Sequence, residues 1–532
     1  HPTFTFMTPF AIFTSVTLAV FWKIIGGFWS LNAWETIALS IALSVPASEW
    51  SLTIVNTLIH RFFSPQPLPR LEFKQGVTPD AATMVIIPTF LSNETEVAEL
   101  LRRLEVHHLA NQDPQIHFAI LGDFRDASEE TLPEDNKVLL SARKTLENLN
   151  NKYPCMEGST FYLLVRKRQW NPQEGVWMGW ERKRGKLTEF NALLLGKQNT
   201  SYTDVLGDPA IFPKIRYIIT LDSDTDLPRD AARRLIGTMA HPLNIPVLNT
   251  DQTRVIRGYG LLQPRILVKH ESLYRSRLAL WFAGITGIDP YTFAISDPYQ
   301  DLFGRGIFTG KGIYDLKVFD KILSHRFPDN TVLSHDLLEG SFLRAGLVTD
   351  IELFDDFPPN YYSYLQRLHR WVRGDWQLLR WFSPFVRNRR GTRLWVDLPL
   401  ITRWQMFDNL RRSLLAPVLL TLLIFGLLGL PGRDMSWVAI VVATLGIPFI
   451  IHFLNSFKNN LKWRWRWRNA LGVLGQIAVT TLMLPFQSMI LLDAIVRTIY
   501  RLVISKKHLL EWVTAADTER QTPKTIWAFI LR

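Results

Sequence analysis

Two aspartates, Asp222 and Asp224, stand one residue apart directly after an apolar stretch at residues 216–221. That stretch predicts a buried strand, so both carboxylates are expected where the strand ends. Carboxylate oxygens are ligands for hard divalent cations, and a bound cation in turn holds phosphate oxygens. Capping of a loop is the alternative for such a pair, but the strand before it favours a metal site. Asp226 continues the acidic turn, and we expect it to cap the next helix.

A second group of residues combines positive charge with the start of a predicted helix. Residues 181–191 contain four cations and a glycine ahead of Asn191, which suits the binding of an anionic nucleotide-sugar. A solvated basic loop is the alternative. Residues 308–314 are rich in glycine, but Arg305 and Gly312 stand where a Walker A loop requires glycine and Ser or Thr. A kinase or an ATPase is therefore disfavoured.

Acidic and aromatic residues cluster farther along the chain. Asp336 and Glu339 lie near a predicted helix start, and residues 361–381 are rich in aromatic side chains. Sugars stack their apolar faces on Trp and Tyr rings, so this aromatic stretch indicates a saccharide platform. Buried helix packing is the alternative, and it is expected to account for some of these side chains.

The elements that must position these groups are strands. Short apolar stretches alternate with helical patterns, which predicts an α/β domain with a mostly parallel sheet and helices on both faces. The stretches are residues 84–87, 116–121, 160–165 and 216–221. Ligands of such folds bind at the carboxyl ends of the strands. Those ends are predicted at Pro88-Thr89, Gly122-Asp123 and Asp222-Ser223-Asp224.

The composition points to a membrane protein with a globular middle. The chain has 532 residues, a formal net charge of +12 and 47% hydrophobic residues, which is too apolar for a disordered protein. Its single cysteine, Cys155, rules out a disulfide scaffold. The apolar residues concentrate near both ends, in runs long enough to cross a membrane as helices. These runs are residues 9–27, 37–60, 413–430, 436–454 and 471–492.

Basic residues predict the orientation of these runs. Arg61, the whole middle of the chain and the alternating Trp and cationic residues 462–468 are expected on the cytoplasmic side. A nucleic-acid patch is the alternative for residues 462–468, and it is disfavoured because membrane runs flank them. A full crossing by residues 471–492 would leave the cations that follow outside. We therefore expect a re-entrant or interfacial segment bent at Pro485.

Residues 398–412 are predicted as a separate interfacial helix, because Trp404 and Phe407 oppose Asp408 and Arg411.

These patterns divide the chain into three parts. Residues 1–64 are expected to form a transmembrane helix pair, residues 78–395 a cytoplasmic domain, and residues 396–532 interfacial and transmembrane helices. Because the chain begins with His and residues 526–531 resemble the start of another apolar helix, we expect a segment of a longer polypeptide. For Glu49, which lies within a membrane run, a hydrogen bond to a neighbouring helix is favoured over a transport role.

Several motifs between the membrane runs resemble those of processive family 2 glycosyltransferases, such as cellulose synthases. They are Asp222-Ser-Asp224, Ser334-His-Asp336 and Arg367-Leu-His-Arg-Trp371. Further stretches resemble one branch, the family 84 glycosyltransferase domain of cyclic β-1,2-glucan synthases. They lie at residues 177–186, 308–314 and 505–512. The resemblance extends over nearly the whole chain.

The resemblance implies a GT-A fold and an inverting transfer from UDP-glucose to a β-1,2-glucan at the inner (cytoplasmic) membrane. It also implies a growing, protein-linked glucan acceptor, membrane lipid as a partner and further glycoside-processing domains on a longer chain, with no role for nucleic acid. Family 2 enzymes have Thr-Glu-Asp at residues 334–336 and Gln in place of Arg367. The second departure affects the expected acceptor contacts and not the class.

By the same resemblance, Asp336 is the general base that deprotonates the acceptor hydroxyl. Mg²⁺ or Mn²⁺ on Asp224, with help from Asp222, neutralises the leaving diphosphate. The expected donor-site residues are Thr89, Asp123, Lys186, Asn191, Asp222, Ser223 and Arg370, with Lys186 and Arg370 at the diphosphate and Asp123 at the uridine. The expected acceptor-site residues are Gly310, Lys311, Arg367 and Trp371.

Two other functions remain open. A cellulose-like β-glucan synthase that also translocates its polymer would line a channel with aromatic and polar residues, and the apolar runs offer little beyond Glu49 and Trp50. A catalytically silent, sugar-binding membrane scaffold is disfavoured by the intact Asp224, Asp336 and Arg370.

Overall fold

The computed structural model describes residues 1–26, 31–282, 298–428, 434–456 and 463–512. Its centre is an eight-stranded mixed sheet, and two-stranded pieces lie outside it. The strands are β1 (Thr83–Leu91), β2 (Ile116–Phe124), β3 (Phe161–Arg166), β4 (Gln169–Asn171), β5 (Val176–Met178), β6 (Tyr202–Leu206), β7 (Tyr217–Thr220), β8 (Val247–Leu248), β9 (Val255–Arg257), β10 (Leu261–Val268), β11 (Gly312–Asp315), β12 (Ala345–Asp355), β13 (Phe385–Arg387) and β14 (Arg393–Trp395).

Helices precede, follow and alternate with these strands. They are α1 (Pro2–Ile25), α2 (Ala33–Phe62), α3 (Glu94–Ala110), α4 (Pro133–Lys152), α5 (Arg182–Leu194), α6 (Ala231–Ala240), α7 (His270–Leu273), α8 (Arg277–Phe282), α9 (Pro298–Phe303), α10 (Leu316–Leu323), α11 (Asp336–Leu343), α12 (Tyr361–Gln377), α13 (Leu400–Leu427), α14 (Asp434–Ser456) and α15 (Trp463–Tyr500).

The large sheet has the strand order β12-β10-β11-β7-β1-β2-β3-β6. Strands β7, β1, β2 and β3 run parallel side by side, and they are the strands that the apolar stretches predict. Strand β12 is also parallel to β10, whereas β11 and β6 pair antiparallel with their neighbours. The prediction of a mostly parallel sheet in an α/β fold is confirmed.

The predicted ends of the first two strands are wrong. Strands β1 and β2 stay paired through their last residues, so Pro88 and Asp123 lie inside strands. A proline fits at position 88 of β1 because its backbone nitrogen faces β7, and the pairing between β1 and β7 has already ended there. Two residues earlier, Ile86 accepts the hydrogen bond of Leu221 at the end of β7, and no strand continues on that side at Pro88.

Helices cover both faces of the sheet because successive strand residues point to opposite faces and both sets are apolar. On one face, α3, α4 and α6 pack on residues such as Val85 and Ile120. On the other face, α5, α10 and α11 pack on residues such as Ile86 and Leu121. Helix α3 begins at the predicted point, because the side chain of Asn93 caps it.

Four of the described helices are long and apolar enough to cross a membrane. They are α1, α2, α13 and the helical stretch Ala470–Ser505, and the shorter apolar stretch Met435–Ile451 lies within α14. These helices pack against one another through a shared apolar cluster that includes Phe21, Leu43 and Leu419.

Two expectations for the second half of the chain are wrong. Residues 398–412 are not a separate interfacial helix, because nothing breaks the helix before the apolar run and α13 is continuous from Leu400 to Leu427. Helix α15 also continues through Pro485, so residues 471–492 do not form a re-entrant loop. Packing of Leu484 and Leu491 into the same cluster as α13 and α14 supports the helix on both sides of the proline.

The polar side of the first half of α13 faces protein, where an interfacial helix would face water. Arg411 is buried, and its Nη2 atom lies 2.9 Å from Glu49 Oε2 on α2 and 2.8 Å from Asp408 Oδ1. Arg412 lies 3.2 Å from the other oxygen of Asp408. The expected bonding of Glu49 to a neighbouring helix is thus confirmed, as an ion pair.

Some expectations fall outside the described residues. They are the turn at residues 431–433, the link at residues 27–30 and the apolar pattern at residues 526–531. The side chains of residues 463–469 are likewise not described, so the placement of their tryptophans at the lipid headgroups stays a prediction.

We predict that Arg411→Leu destabilises the packing of α2 on α13. Removing Arg411 leaves the Glu49 carboxylate without its ion-pair partner and leaves Asp408 with Arg412 alone, and breaking a buried ion pair costs about 3–5 kcal/mol. The measurement is the thermal unfolding midpoint in detergent. Arg102→Leu, which removes an exposed partner of Glu99, is the control and should leave the midpoint unchanged. An Arg411→Leu protein as stable as the native one would contradict the prediction.

Candidate active site

Asp222 follows β7 and is held by two lysines. Lys183 Nζ lies 2.6 Å from Asp222 Oδ1, and Lys311 Nζ lies 3.2 Å from Oδ2. Burial alone would raise the pKa of Asp222, but the two ammonium groups outweigh it and hold the pKa far below its ordinary value. Asp222 is therefore an ionised carboxylate at the edge of the sheet.

Asp224 stands in an excess of negative charge. Lys311 is also paired with Asp355, the buried last residue of β12, which accepts a hydrogen bond from Thr225 at 2.6 Å. Burial and the nearby carboxylate of Asp355 raise the pKa of Asp224, and Asp222 adds to the effect. The Asp222 and Asp224 carboxylates, one residue apart at this edge, supply oxygen ligands of the kind that a hard divalent cation takes, so they fit the expected metal.

Asp226 does not cap a helix as expected. Helix α6 begins at Ala231, and the Asp226 carboxylate lies 3.0 Å from Lys269 Nζ. Its backbone N–H bonds to the carbonyl of Phe354 in β12. The acidic turn is thus fixed to the neighbouring strand, and the helix starts later than the sequence pattern indicates.

Asp336 is brought to Asp222 by Gly310 and Lys183. Lys183 Nζ donates to the Gly310 carbonyl at 3.1 Å as well as to Asp222. A Cβ atom at Gly310 would lie 2.8 Å from Asp336 Oδ1, and the residue has a φ of 86°, so only glycine fits. Asp336 is the first residue of α11, and the preceding His335 occupies the cap position.

His335 and Glu339 lie beside Asp336. His335 Nδ1 is 2.9 Å from Glu339 Oε1 and 3.8 Å from Asp336 Oδ1. The His335 and Glu339 side chains are 4% and 2% exposed. One potential ligand atom from each of the three residues lies within 4.8 Å of the others. The cluster offers an imidazole nitrogen, whereas the protein ligands that Mg²⁺ prefers are oxygens, such as those of the Asp222 and Asp224 carboxylates.

Three of the predicted donor residues come together under the ends of β1 and β2. Lys186 Nζ donates to the Thr89 carbonyl at 2.6 Å and lies 3.1 Å from Asp123 Oδ2. Arg166, the last residue of β3, binds both oxygens of Asp123, at 2.7 and 2.8 Å. Burial, with help from Arg166, lowers the pKa of Lys186 to about 8.

Lys183 reaches Asp222, and Lys186 reaches Asp123. The two lysines stand three residues apart on the first turns of α5, so they lie on the same side of the helix. Asn191, later on the same helix, is fully buried and accepts a hydrogen bond from Tyr314 at 2.9 Å. It therefore packs in the core between α5 and β11, and its place in the donor site stays a prediction. Ser223 is exposed, and its carbonyl accepts a bond from Arg103 at 2.6 Å.

Helix α12 carries the remaining predicted residues to the same edge. The Arg370 guanidinium lies 5.7 Å from the Trp512 ring centre, and the Trp512 ring lies 5.5 Å from Phe90. Burial and the neighbouring Arg367 lower the pKa of Arg370 to about 10, and Asp224 acts in the opposite direction. The Arg367 guanidinium lies 4.7 Å over the ring of Trp371.

The aromatic stretch at residues 361–381 is partly core. Tyr364 and Trp381 are buried, and Trp381 packs on Phe327 and Phe342. The packing alternative thus holds for these side chains, and Trp371 stays a candidate for contact with a sugar.

Four residues of the site were missed by the sequence reasoning. Lys183 lies in the basic stretch at residues 181–191, but the spacing of the cations does not show that Lys183 and Lys186 have different partners. Asp355 and Arg166 each end an apolar strand, which is the signal that could have found them. His335 is part of a quoted motif, and only the structure shows its contact with Glu339.

No family model matches the chain. The chain is 40% identical over 495 residues, 91% of its length, to cyclic beta-(1,2)-glucan synthase NdvB of Rhizobium meliloti (strain 1021), and it spans 17% of that relative. Among solved structures, it is similar to mannosyltransferase PcManGT from Pyrobaculum calidifontis, in complex with GDP-Man and Mn²⁺. That likeness has 14% identity and a TM-score of 0.37, and it covers 83% of this chain and 98% of the other. So low a TM-score supports no further argument.

The resemblance predicted from the motifs is thereby confirmed: over nine-tenths of its length, this chain is homologous to one section of a cyclic β-(1,2)-glucan synthase.

Proposed function

We propose that this chain is the glucan-synthesising section of a cyclic β-1,2-glucan synthase, an inverting hexosyltransferase that moves glucose from UDP-glucose to a growing β-1,2-glucan. The observation that carries the proposal is the convergence of Asp222, Lys183, Gly310 and Asp336 at one edge of the sheet. The homology with the synthase supports the substrate class. The sheet with helices on both faces supports the GT-A assignment.

The proposed reaction is a single displacement. UDP-glucose is an α-glycoside, so a β-linked product requires inversion at C1. The acceptor oxygen forms its bond to C1 while the bond from C1 to the diphosphate oxygen breaks, and the hydroxyl proton passes to Asp336. Burial raises the pKa of Asp336, and His335 and Lys183 only partly offset it. A carboxylate with a raised pKa is a better base at neutral pH than an ordinary one.

The lysines of α5 supply positive charge for the donor. Lys186 keeps most of its charge at neutral pH, because its lowered pKa is still about 8. Lys183 lies beside Asp222 and Asp336, where the diphosphate would leave, and Arg370 adds charge from α12. Asp123 and Thr89 stand at the adjoining strand ends, which favours them for the nucleoside.

We further propose that Asp224 and Asp222 hold a divalent cation. Burial raises the pKa of Asp224, and the carboxylates of Asp355 and Asp222 raise it further. The need of this group for a compensating positive charge supports the assignment. When bound, Mg²⁺ or Mn²⁺ would neutralise charge on the leaving diphosphate.

The first test is the product. Membranes containing the protein and radiolabelled UDP-glucose should yield β-1,2-linked glucan by linkage analysis. Asp336→Asn should reduce turnover by at least about 10²-fold while sparing UDP affinity, because asparagine keeps the shape and loses the basicity. Asp350→Asn, at an exposed carboxylate paired with Arg70, is the control and should retain activity. A β-1,4-linked product, or near-normal turnover of Asp336→Asn, would refute the proposal.

The second test is metal dependence. EDTA should abolish transfer by the native protein, and Mg²⁺ or Mn²⁺ should restore it. Asp224→Ala should be inactive with either ion, because it removes a ligand. Asp226→Asn, two positions on and paired with Lys269, should retain the metal response of the native protein. Full activity in EDTA would exclude the proposed cation.

The apolar helices support a place in the inner membrane, with the sheet domain in the cytoplasm. We predict that a cysteine at Leu428, after α13, is labelled from outside intact cells, because the basic residues lie at the other end of that helix. A cysteine at Asn388 should be labelled only after permeabilisation. Both are made with Cys155 replaced by Ser. The opposite labelling pattern would reverse the orientation.

A further inference from the structure

A buried histidine and a buried glutamate stand directly behind the proposed base. His335 and Glu339 are four residues apart, so they lie on the same side of the start of α11. The imidazole Nδ1 is 2.9 Å from Glu339 Oε1 and 3.8 Å from Asp336 Oδ1. Three buried atoms of this cluster, His335 Nδ1, Asp336 Oδ1 and Glu339 Oε2, have no hydrogen-bond partner among the described residues, so the imidazole contacts the carboxylates as an ion pair. The imidazole is thus the group that stands between two buried carboxylates.

The other charged groups around this cluster come from two neighbouring elements. From α5, Lys183 faces Asp336 and Arg184 faces His335, and from the end of β7, Asp222 faces Asp336. Lys183 is already bonded to Asp222 and the Gly310 carbonyl. Arg184 is paired with Glu181. In the described part of the chain, the ion-pair contacts of the imidazole are therefore those with Glu339 and Asp336.

We propose that His335, held by Glu339, is a positioning residue that keeps Asp336 ionised and aimed at the acceptor hydroxyl. In the displacement, the hydroxyl proton moves to the Asp336 carboxylate, the bond from C1 to UDP breaks, and the imidazole keeps its own protons. The inference rests on the proposed function, in which Asp336 is the base.

The charge balance supports this role. Burial raises the pKa of Asp336, as do Glu339 and Asp222, whereas His335 is the strongest influence that lowers it. Burial would lower the pKa of His335, but Glu339 and Asp336 outweigh it and the pKa is raised. The raised pKa of His335 favours an imidazolium, and the charge of that imidazolium favours the ionised form of Asp336. Without it, the carboxyl group would keep its proton to higher pH and could not accept another.

The test is the pH dependence of turnover at saturating UDP-glucose in His335→Asn. The asparagine amide can still donate to Glu339 but carries no charge. Activity depends on ionised Asp336, so the acid side of the profile should move to higher pH. Turnover at neutral pH should fall by about tenfold or more and recover as the pH is raised. UDP affinity should not change.

The matched control is His117→Asn. His117 is also buried, and its Nδ1 lies 2.9 Å from the Ser159 carbonyl, at the start of β2 and so at the opposite end of that strand from Asp123. This variant should keep the native pH profile even if it is less stable. Glu339→Gln, which removes the charge that holds the imidazolium, should move the acid side in the same direction as His335→Asn but by less, because Glu339 itself raises the pKa of Asp336. It decides the question if His335→Asn does not fold.

The outcomes separate this inference from the proposed function. If Asp336→Asn turns over normally, the base assignment and the inference both fall. If Asp336→Asn is inactive but the acid side is unmoved in His335→Asn, or in Glu339→Gln when the first variant is unfolded, only the inference falls. A clearly higher Mg²⁺ or Mn²⁺ concentration needed for half-maximal turnover by His335→Asn would assign the cluster to the metal and would also overturn it.

Discussion

Like charges crowded at the carboxyl edge of one sheet are the constraint on which the rest of the site depends. Carboxylates reach this edge from the ends of β7 and β12 and from the start of α11, and burial makes their mutual repulsion costly. They are Asp222, Asp224, Asp355, Asp336 and Glu339. Lys311 and His335 each lie against two groups of this set, and Lys183 joins one of them to the backbone. These contacts hold the edge together.

The cations bring elements together that are distant in the chain. Lys311 joins the end of β7 to the end of β12 through Asp222 and Asp355. Lys183 joins α5 to Asp222 and to the Gly310 backbone. Lysine side chains attract a diphosphate, and carboxylates attract a divalent cation. The charged groups that stabilise this edge of the sheet therefore also suit the binding of a nucleotide-sugar.

The site also depends on the apolar helices. Helix α12, which carries Arg367 and Arg370, is fixed to α13 by the bond from Trp376 to Ser413 at 2.9 Å. The same helix is fixed to α15 by His369, whose Nε2 lies 2.9 Å from Asp493. The segment after α15 then places Trp512 between Phe90 and Arg370. The sheet alone therefore does not complete the site.

The sequence by itself determined the parallel strands, the apolar helices and the groups at strand ends, because all three follow from local periodicity and from residue type. Asp222 and Asp224 could be chosen in this way, whereas Asp336 was indicated by the family resemblance. It could not determine contacts that join distant parts of the chain. Asn191 lies in a basic motif, yet its side chain is buried in the core, where it accepts a hydrogen bond from Tyr314. Likewise, no local pattern separates Lys183 from Lys186, or shows that Arg411 pairs with Glu49. Tertiary structure decides these cases, because burial and the partner's charge fix the role of a polar side chain, and both come from elements far away in the sequence.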